Sequence, residues 1–209
     1  MPEGQTVFVV DDDSAMRESM ALMLDQAGFR VRTFANAQTF LESCGPGDAG
    51  CLVLDLRMPG MSGLDLQRTL TRLGYTLPIV FLSAFGDVPA TVRAIQGGAL
   101  DFLEKPVSME VLIGRIRQSL GEDRRRRSLA AEEFRVRALY GQLTPREREV
   151  MDLAVKGLAN KAIAAHLGIS PRTVENHRAR VMEKLGVGNI AELCQVAAFC
   201  LTPGEGRGP

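Results

Sequence analysis

The chain has 209 residues, 45% of them hydrophobic, with 25 Lys/Arg balanced by 25 Asp/Glu. That composition excludes a chain disordered throughout, and no apolar run reaches the ~18 residues that a membrane-crossing helix needs. The zero net charge hides an asymmetry: residues 1–120 carry 10 basic and 14 acidic side chains, net −4, whereas residues 121–209 carry 15 and 11, net +4. An acidic half suits a metal site, and a basic half suits phosphates.

In chain order, Thr6–Val10 is an apolar run that stops abruptly at Asp11-Asp12-Asp13, as a buried parallel strand would. Ser14 is the expected cap of a helix on which Met16, Met20, Met23, Leu24 and Ala27 keep helical spacing, and Gly28 ends it. Phe29–Phe34 reads as a strand and Ala37–Ser43 as a short helix, broken by Gly45-Pro46-Gly47. Cys51–Leu54 is a third strand with Asp55 at its end, and Ser62 opens a helix with Asp65 in its first turn. Ile79–Leu82 is a fourth strand ending at Ser83, and Asp87 is the expected cap of a helix over 88–96. Leu100–Leu103 is a fifth strand, followed by Lys105-Pro106 and a helix from Ser108. Strands alternating with helices predict a doubly wound α/β sheet of five parallel strands, commonly in the order 2-1-3-4-5. Ligand sites in such sheets lie beyond the carboxyl ends of the strands. Asp11, Asp12, Asp55, Ser83 and Lys105 all fall at or just past such ends.

Residues 108–143 are helix-compatible, with Gly121 expected to interrupt them and Arg124-Arg125-Arg126-Arg127 forming a basic run. That run reads either as a solvated helical linker or as a surface for a DNA backbone or a partner. From Thr144 the pattern is all-helical. Thr144-Pro145-Arg146-Glu147 is a capping box, and Gly157 ends its helix. Asn160–Leu167 is a short helix, Gly168-Ile169-Ser170 a turn, and Pro171–Leu185 a longer helix; a last helix runs from about 190 to 201. The boundaries expected are 1–120 for the α/β domain, 121–142 for the linker, 143–201 for the helical domain and 202–209 for a disordered tail. Met1-Pro2-Glu3-Gly4-Gln5 lacks the pattern of a secretory signal. Cys44, Cys51, Cys194 and Cys200 have no CxxC spacing and read as reduced, mostly core thiols of a cytoplasmic protein.

Taken singly, Asp11–Asp13 reads as a solvated turn and Asp55 as a helix cap. Together they point elsewhere, because strands 1 and 3 pair in such a sheet and their terminal carboxylates become neighbours. Carboxylates packed this closely repel, and a hard divalent cation resolves the repulsion; Mg²⁺ accepts few carboxylates plus waters. Lys105, restricted by the following proline in a bond that is cis in some proteins, supplies an ammonium, and Ser83 a hydroxyl. A carboxylate nucleophile, a metal, a lysine and a hydroxyl suit phosphoryl transfer.

Val-Val-Asp-Asp-Asp (9–13), Leu-Asp-Leu-Arg-Met-Pro-Gly-Met-Ser-Gly (54–63), Phe-Leu-Ser-Ala (81–84) and Asp-Phe-Leu-Glu-Lys-Pro (101–106) make residues 5–120 resemble the receiver domain of two-component response regulators. The resemblance implies that Asp55 accepts a phosphoryl group from a histidine kinase. It implies Mg²⁺ held by Asp12, Asp55 and the Arg57 carbonyl, with Asp11 acting through water. Lys105 would contact the phosphoryl group, Ser83 would swing toward it and Phe102 would follow inward, unless Phe102 is plain core packing. Phe85 reads either as a shield of the acyl phosphate or as surface packing.

Helix, glycine-containing turn and second helix form a helix-turn-helix pattern, whose second helix reads the major groove. Leu-Thr-Pro-Arg-Glu-Arg-Glu-Val (143–150), Gly-Leu-Ala-Asn-Lys-Ala-Ile-Ala (157–164), Leu-Gly-Ile-Ser (167–170) and Thr-Val-Glu-Asn-His-Arg (173–178) resemble the LuxR/NarL/FixJ-type DNA-binding domain. That implies phosphate contacts from Asn160, Lys161, Thr173, Arg180 and Lys184. Glu175, Asn176 and Ala179 would face bases, and His177 belongs to the same polar set. Asn176 would suit adenine, Glu175 cytosine, and Ala179 only a thymine methyl. The final helix resembles the family's dimerisation helix, with Leu193, Val196, Ala197 and Cys200 as its apolar face.

The expectation is a FixJ-like transcription factor and not an enzyme, gated by phosphorylation and binding double-stranded promoter DNA as a homodimer, with RNA polymerase a further candidate partner and no membrane. A phosphatase with an aspartyl nucleophile would need an acid two residues beyond it, where Arg57 stands. A module whose helical half binds protein or RNA is the other alternative.

Overall fold

The computed structural model describes residues 5–84 and 88–201, Leu201 by its backbone alone. Two compact units form, Met1–Arg127 and Ser128–Pro209. The first contains β1 (Thr6–Val10), α1 (Ser14–Gln26), β2 (Arg30–Phe34), α2 (Ala37–Ser43), β3 (Gly50–Leu54), α3 (Gly63–Arg72), β4 (Ile79–Ser83), α4 (Val88–Gln96), β5 (Asp101–Glu104) and the start of α5 (Met109–Gly141). The strands are parallel in the order β2-β1-β3-β4-β5, as expected for the doubly wound class.

The sheet is buried on both faces, and the two-residue period of the strands sorts its side chains. Phe8, Val10, Leu52, Leu54 and Phe81 point one way, onto Phe40 of α2, Leu66 and Leu70 of α3 and Ala94 of α4. Val7, Val9, Cys51, Val53 and Leu82 point the other way, onto Met20 and Leu24 of α1 and Leu112 and Ile116 of α5. Continuous apolar runs in the sequence follow from this double coverage.

Three local expectations need correction. Asp13, not Ser14, caps α1; its side chain accepts from the Ala15 and Met16 amides. Gly121 does not interrupt α5, which is one helix of 33 residues. Its flanks are strong helix formers, so a single glycine costs only about 1 kcal/mol there. Two of the four cysteines, not most, are core residues: Cys44 and Cys51 are buried, Cys200 is half-buried and Cys194 is exposed. Burial pushes the Cys51 thiol up to about 12, which leaves it unreactive. The expected Asp87 cap, Phe85 and the tail beyond Leu201 lie outside the described residues.

The second unit contains α6 (Pro145–Val155), α7 (Asn160–Leu167), α8 (Pro171–Leu185) and α9 (Ile190–Leu201). The capping box at Thr144 and Glu147 forms as the sequence predicts. One small core joins Val150 and Ala154 of α6, Ile163 and Ala164 of α7, and Val174 of α8. Another joins Met151, Val181, Leu185, Leu193 and Ala197, with Leu139 and Tyr140 at the end of α5 packed against it. No helix among the described residues is long and apolar enough to cross a membrane.

Candidate phosphoacceptor site and nucleic-acid face

The β1–β3 register sets Val10 opposite Leu54, so the next residues, Asp11 and Asp55, are neighbours. The Asp55 amide donates to the Val10 carbonyl at 2.8 Å, extending the ladder to the site itself. On the other side, the Lys105 amide donates to the Ser83 carbonyl at 2.8 Å. The Lys105-Pro106 bond is cis. The ammonium of Lys105 lies between the two carboxylates, 2.7 Å from Asp11 Oδ2 and 3.1 Å from Asp55 Oδ1. Residues 94 positions apart in the chain thus meet in one ion-paired cluster.

The cluster is enclosed: Asp11 is 3% and Asp55 8% exposed. The Arg57 amide donates to Asp55 Oδ2 at 2.8 Å, and the Asp13 amide donates to Asp11 Oδ1 at 2.9 Å. Burial pushes the Asp55 carboxyl above its ordinary range, and the Asp11 charge adds to that. The Lys105 ammonium and the Arg57 amide pull back without cancelling it. Burial works against the Lys105 charge, but its bonds to Asp11 and Asp55 outweigh this and raise its pKa. Two carboxylates therefore share one cation, and negative charge remains in surplus.

The expected trio of carboxylates is a pair. Asp12 is exposed, and among the described residues no three His, Cys, Asp or Glu side chains stand close enough to hold a metal together. The residues alone grouped Asp12 with Asp11 and Asp55, but the chain bends at Asp12 just past β1 and leaves it exposed. Ser83 is buried at the β4 terminus. The Phe102 ring stacks on Phe81 with centroids 6.0 Å apart, so in this structure it packs against the core.

One residue of the site was missed. Gly63 donates its amide to the Leu56 carbonyl, and a Cβ there would lie 2.3 Å from the Asp55 carbonyl oxygen. Only glycine lets α3 begin this close to the phosphoacceptor strand. The signal was a glycine at the first helical position, where its low helix propensity is a cost.

On α8, Val174, Val181 and Leu185 turn inward, as expected. Arg172, Glu175, Asn176, Ala179, Arg180 and Glu183 form the exposed stripe. Arg172 and Glu183 belong to it although sequence reasoning gave neither a role. Several expected DNA contacts are instead committed within the unit. Lys184 Nζ lies 2.7 Å from Oε2 of the buried Glu147 and donates to the Gln142 carbonyl, tying α8 to the start of α6. Asn160 Oδ1 accepts from Arg178 at 2.7 Å, and the Thr173 hydroxyl is 2.8 Å from that of Ser170. His177 is half-buried, its Nδ1 enclosed without a hydrogen-bonding partner. Lys161 remains exposed. On α9, Leu193 and Ala197 are buried in the unit's own core and Val196 packs against it, so three of the four residues of the expected dimerisation face are already engaged.

Comparisons with known proteins agree with both halves. Residues 7–117 match the response regulator receiver domain, and residues 141–197 match the bacterial regulatory proteins of the luxR family. The transcriptional regulatory protein FixJ of Azorhizobium caulinodans is 43% identical over 197 residues, covering 94% of this chain and 93% of the relative. Nodulation protein W of Bradyrhizobium diazoefficiens is 41% identical, covering 91% of this chain and 84% of the relative. Among solved structures, the response regulator StyR superposes with a TM-score of 0.85 at 46% identity, covering 93% of this chain and 98% of that one. Full-length FixJ from B. japonicum superposes with a TM-score of 0.59 at 38% identity, covering 98% and 100%.

Proposed function

We infer the mechanism from the family: the chain belongs to the response regulators that join a receiver domain to a LuxR-type helix-turn-helix domain, and it is a phosphorylation-gated, DNA-binding regulator of transcription. Asp55 is the phosphoacceptor. One of its carboxylate oxygens attacks phosphorus on a kinase phosphohistidine; the P–N bond breaks and its electron pair stays on the imidazole. The observation that carries this reading is the ammonium of Lys105 shared between Asp11 and Asp55. It stands where three phosphoryl oxygens would bring new negative charge.

The surplus charge and all-oxygen donors of the site fit Mg²⁺, with Asp11, Asp55 and the Arg57 carbonyl at the pocket and the exposed Asp12 turning in from its rim as the residues to hold it. Bound there, the ion supplies neutralisation of charge on the transferring group. Lys105 orients the phosphoryl group, and the buried Ser83 supplies a hydroxyl at the end of the adjoining strand β4. Ser83 and Phe102 then relay the change to the α4–β5–α5 face, favouring a homodimer.

Dimerisation sets two α8 helices roughly 34 Å apart on double-stranded promoter DNA. Glu175, Asn176 and Ala179 face the bases, while Lys161 and Arg180 contact phosphates. Thr173, Asn160 and Lys184 position the helix through the contacts above, or reach phosphates only after giving those contacts up, and the half-buried His177 joins the DNA-binding set. The protein works in the cytoplasm, with a sensor histidine kinase upstream and RNA polymerase as a downstream partner. The segment 121–142 is the linker between domains, though its first turns belong to the receiver.

The test is mass by light scattering with Mg²⁺ and fluoroberyllate, wild type against Asp55→Asn. Dimer in the wild type alone is the expected result; no change in either protein refutes the mechanism. A salt-dependent mobility shift that shows no preferred duplex would favour the alternative protein- or RNA-binding module.

A further inference from the structure

At the opposite end of β3 from Asp55, a second buried carboxylate has no part in phosphoryl transfer. Asp123 lies on α5, is 0% exposed, and stands one turn beyond Leu120 in the receiver core. Its Oδ2 accepts from the Gly50 amide at 3.0 Å and from Gln5 Nε2 at 3.1 Å. Gln5 also donates to the Leu120 carbonyl at 2.8 Å. Arg127 Nε donates to both Asp123 oxygens, and its guanidinium reaches the Gly47 and Asp48 carbonyls. Gly50 has φ +149°, and a Cβ there would lie 1.8 Å from the Thr6 carbonyl oxygen. The strand therefore starts on a bare backbone amide, delivered to Asp123 with no side chain between.

This arrangement is costly if its purpose is only to dock a helix. Burying a carboxylate demands complete pairing, and apolar side chains of similar volume hold helices to sheets as well or better. What an ionic cluster adds is a single register. That matters here because α5 does not stop at the receiver. It runs on to Gly141, where Leu139 and Tyr140 join the core of the helical unit. The intervening stretch is largely exposed apart from the buried Val136, with Glu132–Arg135 and Glu133–Arg137 pairs along it. A stretch of this length is marginal as a helix by itself, so the way its receiver end is held matters.

We propose that Asp123 is a positioning residue of the phosphorylation response: with Arg127 it latches the receiver part of α5 to the start of β3, so that a change at Asp55 is passed along α5 to the turns that follow Arg127. The inference rests on the phosphoacceptor reading above. It also gives Arg127 a role distinct from both a solvated linker and a DNA contact.

The test uses the full chain. Hydrogen exchange of residues 128–141 is compared with and without fluoroberyllate plus Mg²⁺, in wild type and Asp123→Asn, and acetyl phosphate labelling of Asp55 is followed in parallel. The expected result is a several-fold change in wild-type exchange that shrinks below a third of that size in the variant, while labelling stays at the wild-type rate. An undiminished change in Asp123→Asn overturns the latch, and so does a labelled wild type whose 128–141 exchange never responds. A wild type that takes no label at all instead refutes the phosphoacceptor reading. Should Asp123→Asn lose its cooperative melt, Arg127→Ala carries the same readout with the carboxylate intact.

Discussion

The two halves of this molecule build their functional surfaces in opposite ways. In the receiver, Asp11, Asp55 and Lys105 come from three strand ends, and the β1–β3 and β4–β5 pairings bring them within 3.1 Å. In the helical unit, the exposed residues from Arg172 to Glu183 lie along one face of one helix. A convergent site inherits the rigidity of the sheet and fails when the ladder fails. A stripe on a helix needs only that helix to be correctly seated, which is the work of Glu147, Lys184 and Asn160. The receiver should therefore answer to single changes steeply, and the helical unit by degrees.

The steepest expected break is Gly50→Ala. A Cβ 1.8 Å from a carbonyl oxygen, at a backbone angle side chains rarely adopt, should cost at least about 4 kcal/mol. Hydrogen exchange should show global opening of the receiver at unchanged protection in α6–α9. Lys105→Ala comes next. It leaves two buried carboxylates without their shared cation and should lower receiver stability by about 3 kcal/mol in urea titrations. A smaller loss would mean that water reaches the pair.

In the helical unit, Glu147→Gln should cost about 2 kcal/mol, because a charge-assisted bond to Lys184 becomes a neutral one. Its pH signature sharpens the comparison. The Lys184 ammonium, with the Thr144 amide, holds the Glu147 carboxyl down at about 2 from the ordinary 4.5. A depressed acid contributes its stability in full above the unfolded value and loses it as pH falls from about 4.5 toward 2. Melting temperature should drop through that window in the wild type and stay flatter in Glu147→Gln. Smallest is Lys161→Ala, which should leave stability unchanged and reduce the salt dependence of DNA binding by about one unit of slope.

Much of the site was readable because its residues obey local rules. Strands that stop dead at Asp11 and Asp55 announce their own ends, and the capping boxes at Ser62 and Thr144 need only a few consecutive residues. Asp12 stands exposed where Asp11 is buried, because the turn after β1, not composition, decides which aspartate faces inward. Lys184 read as a phosphate contact because nothing nearby in sequence shows that Glu147, 37 residues earlier, pairs with it. Gly121 looked like a break because its neighbourhood was judged without the anchors at both ends of α5.

The amino-acid order alone fixed the parallel sheet, the helix-turn-helix and the family, since periodicity, caps and motif spacing act over a few residues at a time. Only folding in three dimensions decided which polar groups are used up inside the protein. Gly50 and Asp123, 73 residues apart, carry no shared local signal. Their bond exists because desolvation forces every buried charge to find its partner wherever the chain happens to bring one.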